Sequence, residues 1–448
     1  MSDRGLFAPL FETPALREAF SAGAWLQSLL DFEAALARVQ ARAGRIPNAA
    51  ADAIAAHCRA ERFDAGALAA AAVADGNPLI PLVRALVAAL PREHGGWVHF
   101  GATSQDALDT ALMLRARRGL EAVCAEVDGV LDACAALAAA HRTTPMAART
   151  LLQQALPTTF GLKAAGWLSA LADARARLGE LAHTGLALQL GGAAGTLAAL
   201  EPGGLELAHA LARELDLADP LLPWHAARGR VAELACALGV AAGALGKIAV
   251  DVALLAQTEV GELREGAGAG RGGSSTLPQK RNPVGAVGAL ACAKRVPALV
   301  ATLLAAMTQE HERAAGGWQA EWETLPQIFQ LTGASAARLA GALRGAEVDA
   351  ARMRVNLDAT RGAIAAERVA LALAPRLGRR EAQERVEAAC RRALERGAAV
   401  GEELGADAAI AAELDRARLD ALLDPTGYLG AAAELVDRAL ARFRALKR

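Results

Sequence analysis

At 448 residues the chain is too long for one small core, so two to four domains are expected. A formal charge of −1 gives no footing for nucleic acid, and the six cysteines form no metal-spaced pairs. Hydrophobic content of 54% with mean hydropathy +0.23 is high for a chain outside a membrane, and points to helices buried on all sides or to subunits packed together.

Ala, Leu, Arg and Glu dominate while strand-type clusters of Val, Ile, Thr and aromatics are scarce, so the fold class is all-α. The first part, residues 1–110, reads as short helices broken at Gly44 to Pro47, at Asp75 to Pro78 and at Pro91. It closes on the polar run His99-Phe100-Gly101-Ala102-Thr103-Ser104-Gln105-Asp106-Ala107-Leu108-Asp109-Thr110. Thr103 and Ser104 there are placed to cap a helix starting near Gln105, or, with free N–H groups beside two hydroxyls, to receive an anion.

Residues 111–361 read as a bundle of long helices: one after Thr110, one from Pro157 to Leu188, one from Val231 to Arg264 and one from Pro283 to Glu310. The most apolar run, Leu234 to Gly246, is bounded by Glu233 and Lys247 and is shorter than the roughly 20 residues of a membrane span. No membrane association is expected. Gly191-Gly192-Ala193-Ala194-Gly195-Thr196 follows no strand and reads as a tight turn near the active site rather than a nucleotide loop. A more charged helical segment, residues 362–448, forms a small third domain.

The most chemical stretch is Gly270-Arg271-Gly272-Gly273-Ser274-Ser275-Thr276-Leu277-Pro278-Gln279-Lys280-Arg281-Asn282-Pro283. Its glycines free the backbone and bare N–H groups, and Lys280 is one of only five lysines in an arginine-dominated chain. Asn282 adds an amide for a carboxylate oxygen ahead of a stiffening proline. A plain Gly/Ser surface loop has the same composition.

Gly-Ser-Ser-x-Leu-Pro-x-Lys-x-Asn-Pro resembles the signature loop of the fumarase/aspartase superfamily, with Leu277 where Met is usual. The resemblance implies a three-domain fold, a homotetramer whose active sites draw on three chains, no cofactor and no metal. It also implies Ser274 as the proton-transferring base, with Ser275, Lys280 and Asn282 binding substrate. The Thr103-Ser104 region matches a carboxylate-binding stretch of the family. Arg149-Thr150-Leu151-Leu152-Gln153-Gln154-Ala155-Leu156-Pro157-Thr158-Thr159 resembles its second signature and adds Thr150 and Gln153 to the binding set.

Two departures decide the branch. Leu151 stands where the family's lyases carry a histidine, and Val287, thirteen positions after Ser274, stands where they carry its glutamate partner. Losing both is coherent, because a buried glutamate without a partner pays for desolvation whereas two apolar residues pack together. A carboxylate leaving group, with a pKa near ~4, needs no acid to depart. The resemblance therefore implies the cycloisomerase branch, acting on a small tricarboxylate, 3-carboxy-cis,cis-muconate, in protocatechuate catabolism.

Gln309 to Glu323 and Asp424 to Gly430 resemble that branch too. Arg313 is the candidate for a further carboxylate grip, or it pairs with Glu310 or Glu312 on a solvated helix face. His99 and His311 fall within resembling stretches without an assigned role. An adenylosuccinate-lyase-type eliminase and a non-catalytic structural relative are the alternatives; Leu151 argues against the first and the intact Ser274, Lys280 and Asn282 against the second. With no secretory segment expected and no cysteine framework, a reducing cytoplasm is expected.

Overall fold

The computed structural model describes residues 5–266, 277 and 280–447. Breaks fall at the expected Gly44 to Pro47 and Asp75 to Pro78, and a further one at Cys58 to Asp64 carries neither glycine nor proline; they separate helices Ala22–Arg42, Asn48–His57, Ala65–Asp75 and Leu79–Ala89. Ser21 starts the first by accepting from the Ala24 N–H at 3.1 Å, and Asp64 does the same for the third through Gly66 and Ala67. Gly76, at φ +77°, ends that third helix in the left-handed conformation that glycine adopts without a steric cost.

Five long helices follow: Ser104–Ala140, Phe160–Thr184, Gly229–Leu255, Val284–Ala305 and Gly317–Leu343. The helix expected to run to Arg264 stops at Leu255, where a turn closes with Gly261 at φ +61° and donating to the Gln257 carbonyl at 2.7 Å. Leu263–Arg264 instead pairs antiparallel with Glu347–Val348. The second signature forms a hairpin, Pro145–Thr150 against Gln153–Thr159, so the helix expected from Pro157 begins only at Phe160. Gly229–Leu255 and Val284–Ala305 are long and apolar enough to cross a membrane by length and composition. Lys247 and Asp251 interrupt the first, and Asp251 accepts from Trp167 Nε1 at 2.7 Å, as a core helix with a satisfied polar group does.

The chain divides into two compact units. One comprises Met1–Asp128, Asp173–Gly246 and Gly288–Arg338. Its core brings Phe20 and Phe329 together at 5.2 Å between ring centroids, over Gly119, where a Cβ would stand 2.8 Å from the Phe329 ring. The other comprises Gly129–Ala172, Lys247–Val287 and Leu339–Arg448. Its C-terminal helices Ala366–Leu377 and Arg379–Arg396 bury Val369, Leu373, Val386 and Ala389 against Leu404, Ile410 and Leu422. Arg142 grips Asp437 through two bonds of 2.8 and 2.6 Å.

Candidate active site

In the first unit the helix Ser104–Ala140 begins directly after Thr103, and Asp106, one turn in, reaches back to accept from the Thr103 N–H at 3.0 Å. Asp106 is fully buried and also accepts from the Gly191 and Gly192 N–H groups, both at 3.0 Å, and faces His225 Nε2 at 2.7 Å. Gly192, at φ +72°, turns the chain so that its carbonyl and that of Ala193 accept from Arg313 Nη2 at 3.3 and 2.9 Å. The Thr103 hydroxyl accepts from Arg313 Nη1 at 3.4 Å. Neither pairing expected on a solvated face forms, because Glu310 accepts from the Ala315 N–H and no ion pair joins Arg313 to a carboxylate among the described residues. A half-buried guanidinium held only by neutral acceptors keeps its full charge and its remaining N–H donors for an anion.

Beneath this grip Arg228, 1% exposed, bridges Asp109 and Glu321 with bonds of 2.6 to 2.9 Å. Trp318 Nε1, Gln105 and Gln189 complete the Asp109 carboxylate, and Gln309 reaches Glu321. Burial pushes the Glu321 carboxyl up from its ordinary value while Arg228 opposes that shift. Nearby, His99, at φ 57°, presents Nδ1 to the buried Glu33 carboxylate at 2.7 Å. Burial alone would lower the His99 pKa, but the charge and hydrogen bond of Glu33 raise it.

In the second unit Thr150 and Gln153 face each other across the hairpin's end, and both are exposed. Arg149 anchors the hairpin through a bidentate pair with the fully buried Glu262, at 2.9 and 2.7 Å, and Asn356 Nδ2 donates to the same carboxylate. The two residues of the tip, Leu151 and Leu152, are both left-handed, at φ 51° and 67°. A cavity of about 840 Å³ opens elsewhere in this unit, lined by Arg264, Lys280, Arg281, Asn282 and Leu277. Glu265 lines it too, but its carboxylate caps the Val284–Ala305 helix through the Gly285 and Ala286 N–H groups at 3.0 and 2.7 Å. With Arg281 paired to Glu347 at 3.6 Å, Arg264 and Lys280 are the cations on this wall left to meet a substrate carboxylate.

Residues 11–297 match the lyase family, and residues 362–439 match the family of the adenylosuccinate lyase C-terminus. The 3-carboxy-cis,cis-muconate cycloisomerase of Bradyrhizobium diazoefficiens is 51% identical over 438 residues, covering 97% of each chain. The crystal structure of the 3-carboxy-cis,cis-muconate lactonizing enzyme from Pseudomonas putida superposes with a TM-score of 0.93 at 47% identity, covering 99% of this chain and 100% of that one. The chain belongs to the fumarase/aspartase superfamily. It is an enzyme similar to the cycloisomerases of that superfamily. A nitrosuccinate lyase of Streptomyces davaonensis is also similar, 46% identical over 98% of this chain and 94% of that protein.

Within the superfamily fold, Thr103, Ser104 and Arg313 gather in one unit, with Thr103 and Arg313 in contact. Thr150, Gln153, Lys280 and Asn282 belong to the other, the last two on one cavity. Ser274 and Ser275 lie outside the described residues. Leu151 and Val287 do not pack together in the single chain as expected, since they are 97% and 56% exposed. A two-residue hairpin tip points outward, so its side chains have nothing of their own unit to cover them. Sequence reasoning passed over Asp106, His225 and Arg264. Asp106 stood inside a quoted motif, and its place three residues after Thr103, where an acidic side chain reaches back to the cap N–H, was the available signal.

Proposed function

We propose that the chain is a cofactor-free cycloisomerase that interconverts 3-carboxy-cis,cis-muconate and its carboxymuconolactone in protocatechuate catabolism. The observation that carries the reading is the apolar pair Leu151 and Val287 standing where the superfamily's lyases hold a histidine and a glutamate, in a chain that keeps Lys280, Asn282 and Arg313. The relatives named for this activity support it. In the lactonising direction one substrate carboxylate oxygen adds to the double bond, and Ser274 gives a proton to the carbon α to another carboxylate. In reverse the Ser274 oxyanion removes that proton and the ring carboxylate departs unassisted, with the developing charge on the retained carboxylate met by Lys280 and Asn282. Thr103, Ser104, Thr150, Gln153, Ser275 and Arg313 complete the binding set. The apolar exposed tip at Leu151 and Leu152 supports a homotetramer with active sites shared between chains, and six free thiols support a reducing cytoplasm.

An ultraviolet assay of the purified protein with 3-carboxy-cis,cis-muconate tests this reading, beside Ser274→Ala and parallel trials with nitrosuccinate and adenylosuccinate. Loss of diene absorbance in the wild type and not in Ser274→Ala is expected. The similarity to a nitrosuccinate lyase makes that substrate the main rival, because nitrite is also a weakly basic leaving group. Turnover of nitrosuccinate with the muconate untouched would transfer the leaving-group argument to that reaction, and cleavage of adenylosuccinate would sink it.

A further inference from the structure

We propose that Asp106 and His225 are a positioning pair for the anion grip of Arg313 and Thr103. The proposal rests on Arg313 as a ligand of a substrate carboxylate and names the residues that hold it ready. All three acceptors of Arg313 are tied to Asp106: the Thr103 hydroxyl belongs to a residue whose amide Asp106 holds, the Gly192 carbonyl to another, and the Ala193 carbonyl to the next residue. Asp106 has no exposure, accepts from three backbone amides and lies 2.7 Å from His225 Nε2. Facing a carboxylate, Nε2 is the nitrogen that carries the proton. Gln105 anchors the His225 backbone by donating to its carbonyl at 2.9 Å, and the ring packs so closely on Gly191 that a Cβ there would stand 2.8 Å from it. The Arg313 guanidinium is thus preorganised from behind by a carboxylate that it does not itself pair with.

The sign of the effect separates positioning from a simple field. Removing a negative charge near an anion site tightens the anion by Coulomb attraction, whereas releasing the 191–193 turn and Thr103 loosens it. The test measures kcat and KM for 3-carboxy-cis,cis-muconate in Asp106→Asn, His225→Leu, His225→Gln, Arg313→Ala and the double variant Asp106→Asn with Arg313→Ala, with circular dichroism and thermal unfolding of each. Asp106→Asn and His225→Leu should raise KM at least about tenfold with kcat changed less than about threefold, and His225→Gln, which keeps a donor toward Asp106, should return KM to within about threefold of wild type. In the Arg313→Ala background Asp106→Asn should add only the smaller part of its effect that Thr103 carries, less than about threefold in KM, because it acts chiefly through Arg313. Multiplying effects in the double variant, a KM unchanged or lowered in Asp106→Asn, or a fall in kcat alone would overturn the proposal. Should Asp106→Asn fail to fold, the contrast between His225→Leu and His225→Gln decides it. Arg313→Ala with an unaltered KM would instead sink the reading of Arg313 as a substrate ligand.

Discussion

Asp106 and the hairpin tip at Leu151 and Leu152 hold their backbones in opposite ways. Asp106 has no exposed surface, and the left-handed turn at Gly192 that it secures uses a residue with no steric objection to that conformation. Leu151 and Leu152 take the left-handed region without a glycine, 97% and 76% exposed, in a two-residue turn for which Asn-Gly is the relaxed choice. One region is completed by its own chain, with all of the Asp106 partners drawn from that chain. The other has its backbone anchored by Arg149 and Glu262 but leaves two large apolar side chains in water, which a self-sufficient surface would not select. The first region is fixed by folding alone, while the second keeps an apolar surface uncovered by its own chain.

The sharpest way to break the self-contained half is Arg228→Met. It leaves Asp109 and Glu321 buried without their cation, and the expected loss is about 3–5 kcal/mol in urea unfolding. The deficit should shrink as pH falls toward the carboxylate range, because orphaned buried carboxylates bind protons more tightly folded than unfolded. A loss below about 1 kcal/mol would mean that the network is not what holds this region.

Lys280→Ala addresses the cationic cavity. Lys280 is exposed, so stability should change by less than about 0.5 kcal/mol while kcat/KM falls roughly 10²- to 10³-fold, as expected for a group that meets charge developing in the transition state. Lys280→Arg should not restore the activity, since a planar fork does not occupy the place of a point charge. Steady-state kinetics of both variants decide between this role and a bystander on the cavity wall.

The division between the two halves also tracks what the sequence discloses. The polar run from His99 to Thr110 was readable because it interrupts apolar periodicity directly before a long helix, and the all-α class followed from composition. Gly191 and Gly192 read as a tight turn near the active site, but their meeting with Asp106, 85 and 86 positions away, and with His225, 119 away, has no local pattern to announce it. Arg149 sat in a quoted signature, yet its partner Glu262 is 113 positions on. The short pairing of Leu263–Arg264 with Glu347–Val348 was hidden because two-residue strands carry no periodicity. The helix Gly317–Leu343 received no bounds from sequence, its first residues falling within the resembling stretch Gln309 to Glu323.

Leu151→Asn with Leu152→Gly tests the exposed tip. Relief of two left-handed leucines should favour the folded chain by about 1–2 kcal/mol per residue. If the tip is covered by a neighbouring subunit, the same change should shift tetramer dissociation to higher protein concentration in a sedimentation dilution series. A variant neither more stable nor more easily dissociated would remove the contrast between the regions.

The smallest expected effect returns to the buried half, at His99 and Glu33. Glu33 raises the His99 pKa above its unfolded value of about 6.5 despite burial, so the protonated form is favoured in the folded state. The stability from this pair is therefore fully present below about pH 6.5 and is lost as pH rises through the folded-state pKa. His99→Gln keeps a donor toward Glu33 but cannot titrate, so its unfolding free energy should lack that decline. Urea unfolding of both proteins between about pH 5.5 and 8.5 gives the comparison, with parallel curves counting against a protonated His99. Convergence at the alkaline end would show that the contribution is a charge held on the imidazole, and that even the self-contained half of the molecule is tuned by a proton.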